Sequence, residues 1–122
     1  MEKTIQQYNH VIEICEDIFL KKMSDYGVAW RILRPSSMTD QIFIKAQRIR
    51  SIEMKGTMKV EEDARSEYIG IINYCIMALI QLEKGIADED DLTREETHKL
   101  YLEYFNQAKS LMQNKNHDYD EA

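Results

Sequence analysis

Apolar residues recur along most of the chain at spacings of three and four, the period of an amphipathic helix. Ile5, Tyr8, Ile12, Cys15 and Phe19 form the first such line, widened by Val11, Ile14 and Ile18. Thr4, with Gln7 three residues on, predicts the start of this helix, and the pattern fades near Met23. A second helix is predicted from Ser37 or Thr39 to about Lys55. Its apolar line is Ile42, Ala46 and Ile49 with Phe43 beside it, and Lys45 and Arg48 share the neighbouring polar face. The third helix is the best determined. Val60, Ala64, Tyr68, Ile71, Cys75, Ala78 and Leu82 keep helical spacing for about six turns, and Ile69, Ile72, Ile76 and Leu79 give a second apolar face, so burial on two sides is expected. Gly85 is placed to stop it. Thr93-Arg94-Glu95-Glu96 is a capping box that opens a fourth helix, with Leu100, Tyr104, Ala108 and Leu111 as its predicted buried stripe and Tyr101, Phe105 and Met112 alongside.

Four amphipathic helices with mostly short links predict an all-α, four-helix bundle-like domain over residues 1–115. One connection breaks the rule. Residues 24–38 lack a sustained period, and a loop this long inside a compact domain is uncommon and often functional. A short extra helix through Val28–Leu33, pinned by Trp30, is the other reading, and the two are compatible. Residues 116–122 form a tail that resembles the start of a truncated second repeat: Asp25-Tyr26-Gly27-Val28-Ala29 returns in outline as Asp118-Tyr119-Asp120-Glu121-Ala122.

Composition supports helices and narrows the partners. With 4 Gly and 1 Pro among 122 residues, there is little of the turn chemistry that many short strands would need. The net charge is −6 and Lys and Arg do not cluster, which argues against a duplex DNA or RNA partner. Cys15 and Cys75 fall inside apolar helical patterns and are expected to be small buried hydrophobes rather than a disulfide. The opening residues lack a signal-peptide pattern and no apolar run approaches the ~20 residues of a membrane span, so the expected compartment is the cytoplasm.

The main polar constellation lies on the third helix, where Asp63, Glu67, Gly70 and Tyr74 share a face with Asn73 beside them. A mid-helix glycine costs about 1 kcal/mol against alanine, so Gly70 is expected to permit close approach of a helix or a ligand. In the structural reading, Glu67 pairs with Lys45 or Arg48 while Gly70 serves helix packing. In the functional reading, Glu67 holds a divalent cation that carries a nucleotide phosphate, and Lys45 and Arg48 contact the phosphate. Glu95-Glu96-Thr97-His98 offers one Glu-x-x-His, and a di-iron bundle needs two. The acidic run Asp88–Asp91 lacks the pattern of a calcium loop and reads as solvated capping charge.

Four stretches carry a family resemblance. Asp25-Tyr26-Gly27-Val28-Ala29-Trp30 precedes Ser36-Ser37-Met38-Thr39-Asp40-Gln41-Ile42 and Lys45-Ala46-Gln47-Arg48-Ile49, and Glu67-Tyr68-Ile69-Gly70-Ile71-Ile72-Asn73-Tyr74 follows. Over roughly residues 19–83 this resembles the nucleotide modification associated domain 1 family, whose members often carry two copies of such a unit. The helices also look somewhat like MazG-type all-α nucleoside triphosphate pyrophosphohydrolases. Those carry Glu-x-x-Glu and Glu-x-x-Asp on two helices, whereas here Gly70 stands where the Asp would follow Glu67, and Lys45 and Arg48 stand where acids would be expected. The resemblance implies a helical domain, linked to nucleotide modification, that binds a nucleotide or phosphorylated nucleoside. The expected groove lies between the Asp25–Trp30 loop and the second and third helices. Asp25, Tyr26, Trp30, Lys45, Arg48, Asn73 and Tyr74 are the ligand candidates, with Asp40 and Glu67 for magnesium. The alternatives are a non-catalytic interaction module and a metal-dependent pyrophosphohydrolase. A helix apolar on two faces also points to a homodimer.

Overall fold

A computed structural model describes the backbone of residues 2–56 and 60–121, and the side chains of all of these except 60–62 and 116–121. Its helices are α1 (Glu2–Tyr26), α2 (Pro35–Lys55), α3 (Val60–Lys84) and α4 (Arg94–Glu121), with a 3-10 turn at Ala29–Ile32 between α1 and α2. No strand occurs among the described residues. The molecule is an all-α bundle, as the periodicity predicts.

The connection expected at 24–38 is shorter than the pattern suggested. α1 continues three residues past Met23, and α2 starts at Pro35, which at the first helical position loses no needed amide bond and carries a suitable φ. Between them Gly27 takes φ 62°, and the 3-10 turn realises the short helix anticipated around Trp30. Gly85 ends α3 at φ 78°. The capping box at α4 forms in both directions: Glu96 N donates to Thr93 Oγ1 at 3.1 Å, and Thr93 N donates to Glu96 Oε1 at 3.3 Å. α4 runs on through residues 116–121, the segment read as a tail; the side chains that would carry the second repeat lie outside the described residues.

α3 is the central element. α1 and α4 run antiparallel across one side of it, joined by Arg94 to Ser24 at 2.7 Å, His98 to Glu16 at 2.6 Å, and the Tyr8 hydroxyl to Phe105 O at 2.9 Å. The core gathers Cys15, Phe19 and Met23 from α1, Val28, Ile69, Ile76 and Ile80, and Tyr101 and Phe105 from α4. Phe19 stacks on Tyr101 with ring centroids 4.3 Å apart. α2 runs back along a different side of α3, burying Met38 and Ile49.

Several stripe assignments shift. On α4 the buried line is Thr97–Tyr101–Phe105, and Leu111 is exposed, because the aromatic pair turns toward α1. On α2 the α3-facing line is Met38, Ile42, Lys45 and Ile49, so Lys45 lies in the seam and not on the polar face, while Phe43 and Ala46 are exposed. On α3, Tyr68, Cys75 and Leu82 are exposed: α1 with α4 and α2 occupy two sides, and this third one stays open. Cys75 is therefore not the buried hydrophobe expected, whereas Cys15 is.

Candidate functional site

Gly70 sets the geometry of the α2–α3 seam. A Cβ there would lie 2.8 Å from Lys45 Cε and 2.9 Å from Cδ, so the lysine stem crosses α3 over the space a side chain would fill. This places Lys45 Nζ 3.6 Å from Glu67 Oε2 and 5.7 Å from the centroid of the Tyr74 ring. Arg48, one turn along α2, brings Nη1 to 3.8 Å from the other carboxylate oxygen, Oε1. The Lys45 and Glu67 side chains are 17% and 18% exposed, and Arg48 reaches solvent at 59%.

The group is assembled but not closed. Charge-assisted N–H···O bonds close at about 2.7–2.9 Å, and neither ion pair here reaches that. Glu67 Oε2 is buried and accepts no hydrogen bond. Two cations face one carboxylate, an arrangement with unspent positive charge in a chain of net charge −6. Both partners of the structural reading are thus present, and neither cation closes on the carboxylate.

The remaining candidates distribute differently. Tyr74 joins the seam. Asn73 does not: it is buried on the opposite flank, where Nδ2 donates to Cys15 O at 3.1 Å and Oδ1 accepts from the Tyr101 hydroxyl at 2.7 Å. Asp40 is exposed and lies about 140° around α2 from Lys45, so it does not converge on Glu67. Among the described residues no three His, Cys, Asp or Glu side chains cluster into a metal-holding group. Trp30 packs against the core, and its carbonyl accepts from Gln81 Nε2 at 3.4 Å. Gln81 is fourteen residues beyond Glu67, about 21 Å along the helix, so the Trp30 segment and the Lys45–Glu67 seam are separate places. Asp25 and Tyr26 end α1 in solvent. The single groove expected between loop, α2 and α3 is thus divided by the length of α3.

Sequence reasoning missed the best-ordered polar network. Arg31, 2% exposed, donates to Asp91 at 2.9 and 3.0 Å, to Gly85 O at 2.7 Å, and to Gln81 Oε1. Gln81 Nε2 in turn donates to Arg31 O at 2.9 Å and Leu33 O at 2.6 Å. Asp91, assigned to solvated capping charge, is a partner of this arginine, whose hydrogen bonds hold its carboxyl below the usual range. The available signal was a lone arginine inside the apolar stretch Val28–Leu33. The Glu-x-x-His pattern of α4 likewise does not reveal the pair that His98 forms with Glu16 where α1 crosses it, 2.6 Å from ring nitrogen to carboxylate.

Residues 22–82 match the nucleotide modification associated domain 1 family, half of the chain. The chain belongs to that family. The matched span of this nucleotide modification associated domain holds the whole Lys45–Arg48–Glu67–Tyr74 seam together with Arg31 and Gln81, and stops before Asp91 and α4. No curated protein and no solved structure matches the chain.

Proposed function

We propose that the α2–α3 seam binds the phosphate of a nucleotide or phosphorylated nucleoside, and that the domain serves nucleotide modification through this binding. The observation that carries the reading is the open triad. Lys45 and Arg48 approach Glu67 without closing on it, so a phosphate can take both cations at the cost of two weak contacts. Guanidinium and ammonium groups side by side suit phosphate, the first in a planar fork and the second as a point charge. Tyr74, beneath Lys45, is the aromatic surface within reach of this phosphate, in place of the distant Trp30. Magnesium enters as the companion of a polyphosphate, with Glu67 as the carboxylate of the seam. The family's association with nucleotide modification supports the class of ligand.

Thermal-shift titration with nucleoside mono-, di- and triphosphates, each with and without magnesium, tests this, since a ligand of the folded state raises its stability. At least one nucleotide is expected to raise the melting temperature, and Lys45→Met and Arg48→Met each to abolish the rise. Arg48→Met leaves the ligand-free stability within about 1 kcal/mol, because Arg48 itself reaches solvent and meets Glu67 only at 3.8 Å. Variants that bind every nucleotide as the parent does would remove the seam from consideration.

A further inference from the structure

α3 presents three faces about 120° apart, at 100° per residue. Glu67, Gly70 and Tyr74 face α2; Ile69, Asn73, Ile76 and Ile80 face α1 and α4. The third carries Ala64, Tyr68, Ile72, Cys75, Leu79 and Leu82. Their spacing is four, four, three, four and three: a near-heptad apolar seam over five turns. Ile72 packs in part against the core, and most of the rest is open to solvent. Tyr68 is 54% exposed and Leu82 69%, and Leu79 and Cys75 are exposed too. At its N-terminal end, Ala64, Tyr68 and Ile72 form one wall of an apolar groove of about 380 Å³ whose other wall is Val11 and Ile14 of α1.

We infer that this face docks on the same face of a second copy of the chain, α3 against α3, antiparallel about a two-fold axis at Cys75. The charges argue for this occupant. Arg65 and Glu83 are both exposed and stand eighteen residues apart, five full turns, so they lie on one edge of the seam at opposite ends. A two-fold axis at Cys75 keeps that edge in register and reverses the helix direction. Arg65 of each copy then meets Glu83 of the other, within about 3 Å along the axis. The same operation sets Tyr68 against Leu82 and Ile72 against Leu79, large side chains in both cases. A parallel pairing, whose two-fold axis runs along the helices, would exchange the edges and leave Arg65 of one copy and Glu83 of the other on opposite sides of the seam and at opposite ends of it. An isologous contact of this kind is closed by construction. It leaves the α2 side of α3, and the triad on it, untouched.

Light scattering on the full chain at micromolar concentration is expected to give twice the chain mass. Leu82→Glu is expected to halve it, with the helical circular dichroism unchanged. Arg65→Glu and Glu83→Arg should each weaken the dimer at least tenfold, and the double exchange should restore it, which no general loss of folding would do. A short bismaleimide should join two wild-type chains and fail on Cys75→Ser, since the other cysteine, Cys15, is buried. A monomeric wild type, a dimer indifferent to Leu82→Glu, or a charge exchange that fails to restore assembly would each overturn the inference.

Discussion

Tyr101 sits where α1, α3 and α4 meet, fully buried, its ring on Phe19 and Phe105 and its hydroxyl on Asn73 Oδ1. Asn73 passes the link on to the Cys15 carbonyl inside α1. A buried amide left without its donor costs about 1–3 kcal/mol, so Tyr101→Phe should destabilise the fold by that amount in urea titration. Burial, followed by the nearby Cys15 and Glu16, raises the Tyr101 pKa far above its ordinary value. The folded state therefore holds a proton that the unfolded chain gives up near pH 10, and the contribution is complete below pH 10 and lost as pH rises beyond it. Wild type should lose more stability than Tyr101→Phe between about pH 10 and 11.5; equal losses would mean that the hydroxyl is not protected. Tyr8, raised by burial, and Tyr104, pushed up to about 12 by burial and by Glu83, act in the same direction in both proteins. Asn73 as a ligand candidate illustrates what the sequence conceals at this scale. Tyr74, next to it in the chain, faces α2, but one residue is 100° of helix, and which partner that angle meets depends on α1 and α4.

Gly70 decides the α2–α3 element pair. Its missing side chain admits Lys45 across the helix, and the atoms in the way of a Cβ are the far end of a flexible chain, not backbone. Gly70→Ala gains up to about 1 kcal/mol of helix propensity and displaces the lysine instead of the helix. Stability is expected to stay level or rise while the nucleotide-dependent thermal shift falls, a split that separates a ligand-binding role from a packing role. Stability and binding falling together would assign Gly70 to packing alone. The glycine and the Lys–Arg–Glu set were legible as sequence, because spacings of three and four on two strongly periodic helices fix faces. The seam position of Lys45 was not. A lysine among Met38, Ile42 and Ile49 breaks the apolar pattern that periodicity reads, and only the facing glycine makes room for it. Helix ends moved by a few residues at α1 and α2 for a related reason: the chain is carried through 24–34 by tertiary bonds from Arg31 and Gln81, which local pattern does not encode.

At the scale of the whole molecule, the Arg31 network fastens three places that the chain order separates: the turn before α2, the C-terminal end of α3, and the connection into α4. The backbone closes the same circuit, with Ala87 N donating to Arg31 O at 2.9 Å. Arg31→Met leaves the Gln81 and Gly85 acceptors without their donor, and should cost about 2–4 kcal/mol. Asp91 supplies the charge test. Its carboxyl is held low first by the hydrogen bonds from Arg31, so the folded state takes up a proton at lower pH than the unfolded chain does. The stabilisation is whole above about pH 4, the unfolded carboxylate range, and is lost as pH falls through the lower folded value. Asp91→Asn keeps one of the two acceptors for Arg31 and replaces the other, together with the charge, by an amide donor. Urea titrations across pH 7 to 2 should show wild type the more stable at neutral pH, with a gap that is constant down to about pH 5 and closes in acid. A gap that holds its size to pH 2 would mean the aspartate acts through shape alone, and the fastening between α3 and α4 would then be one of neutral hydrogen bonds.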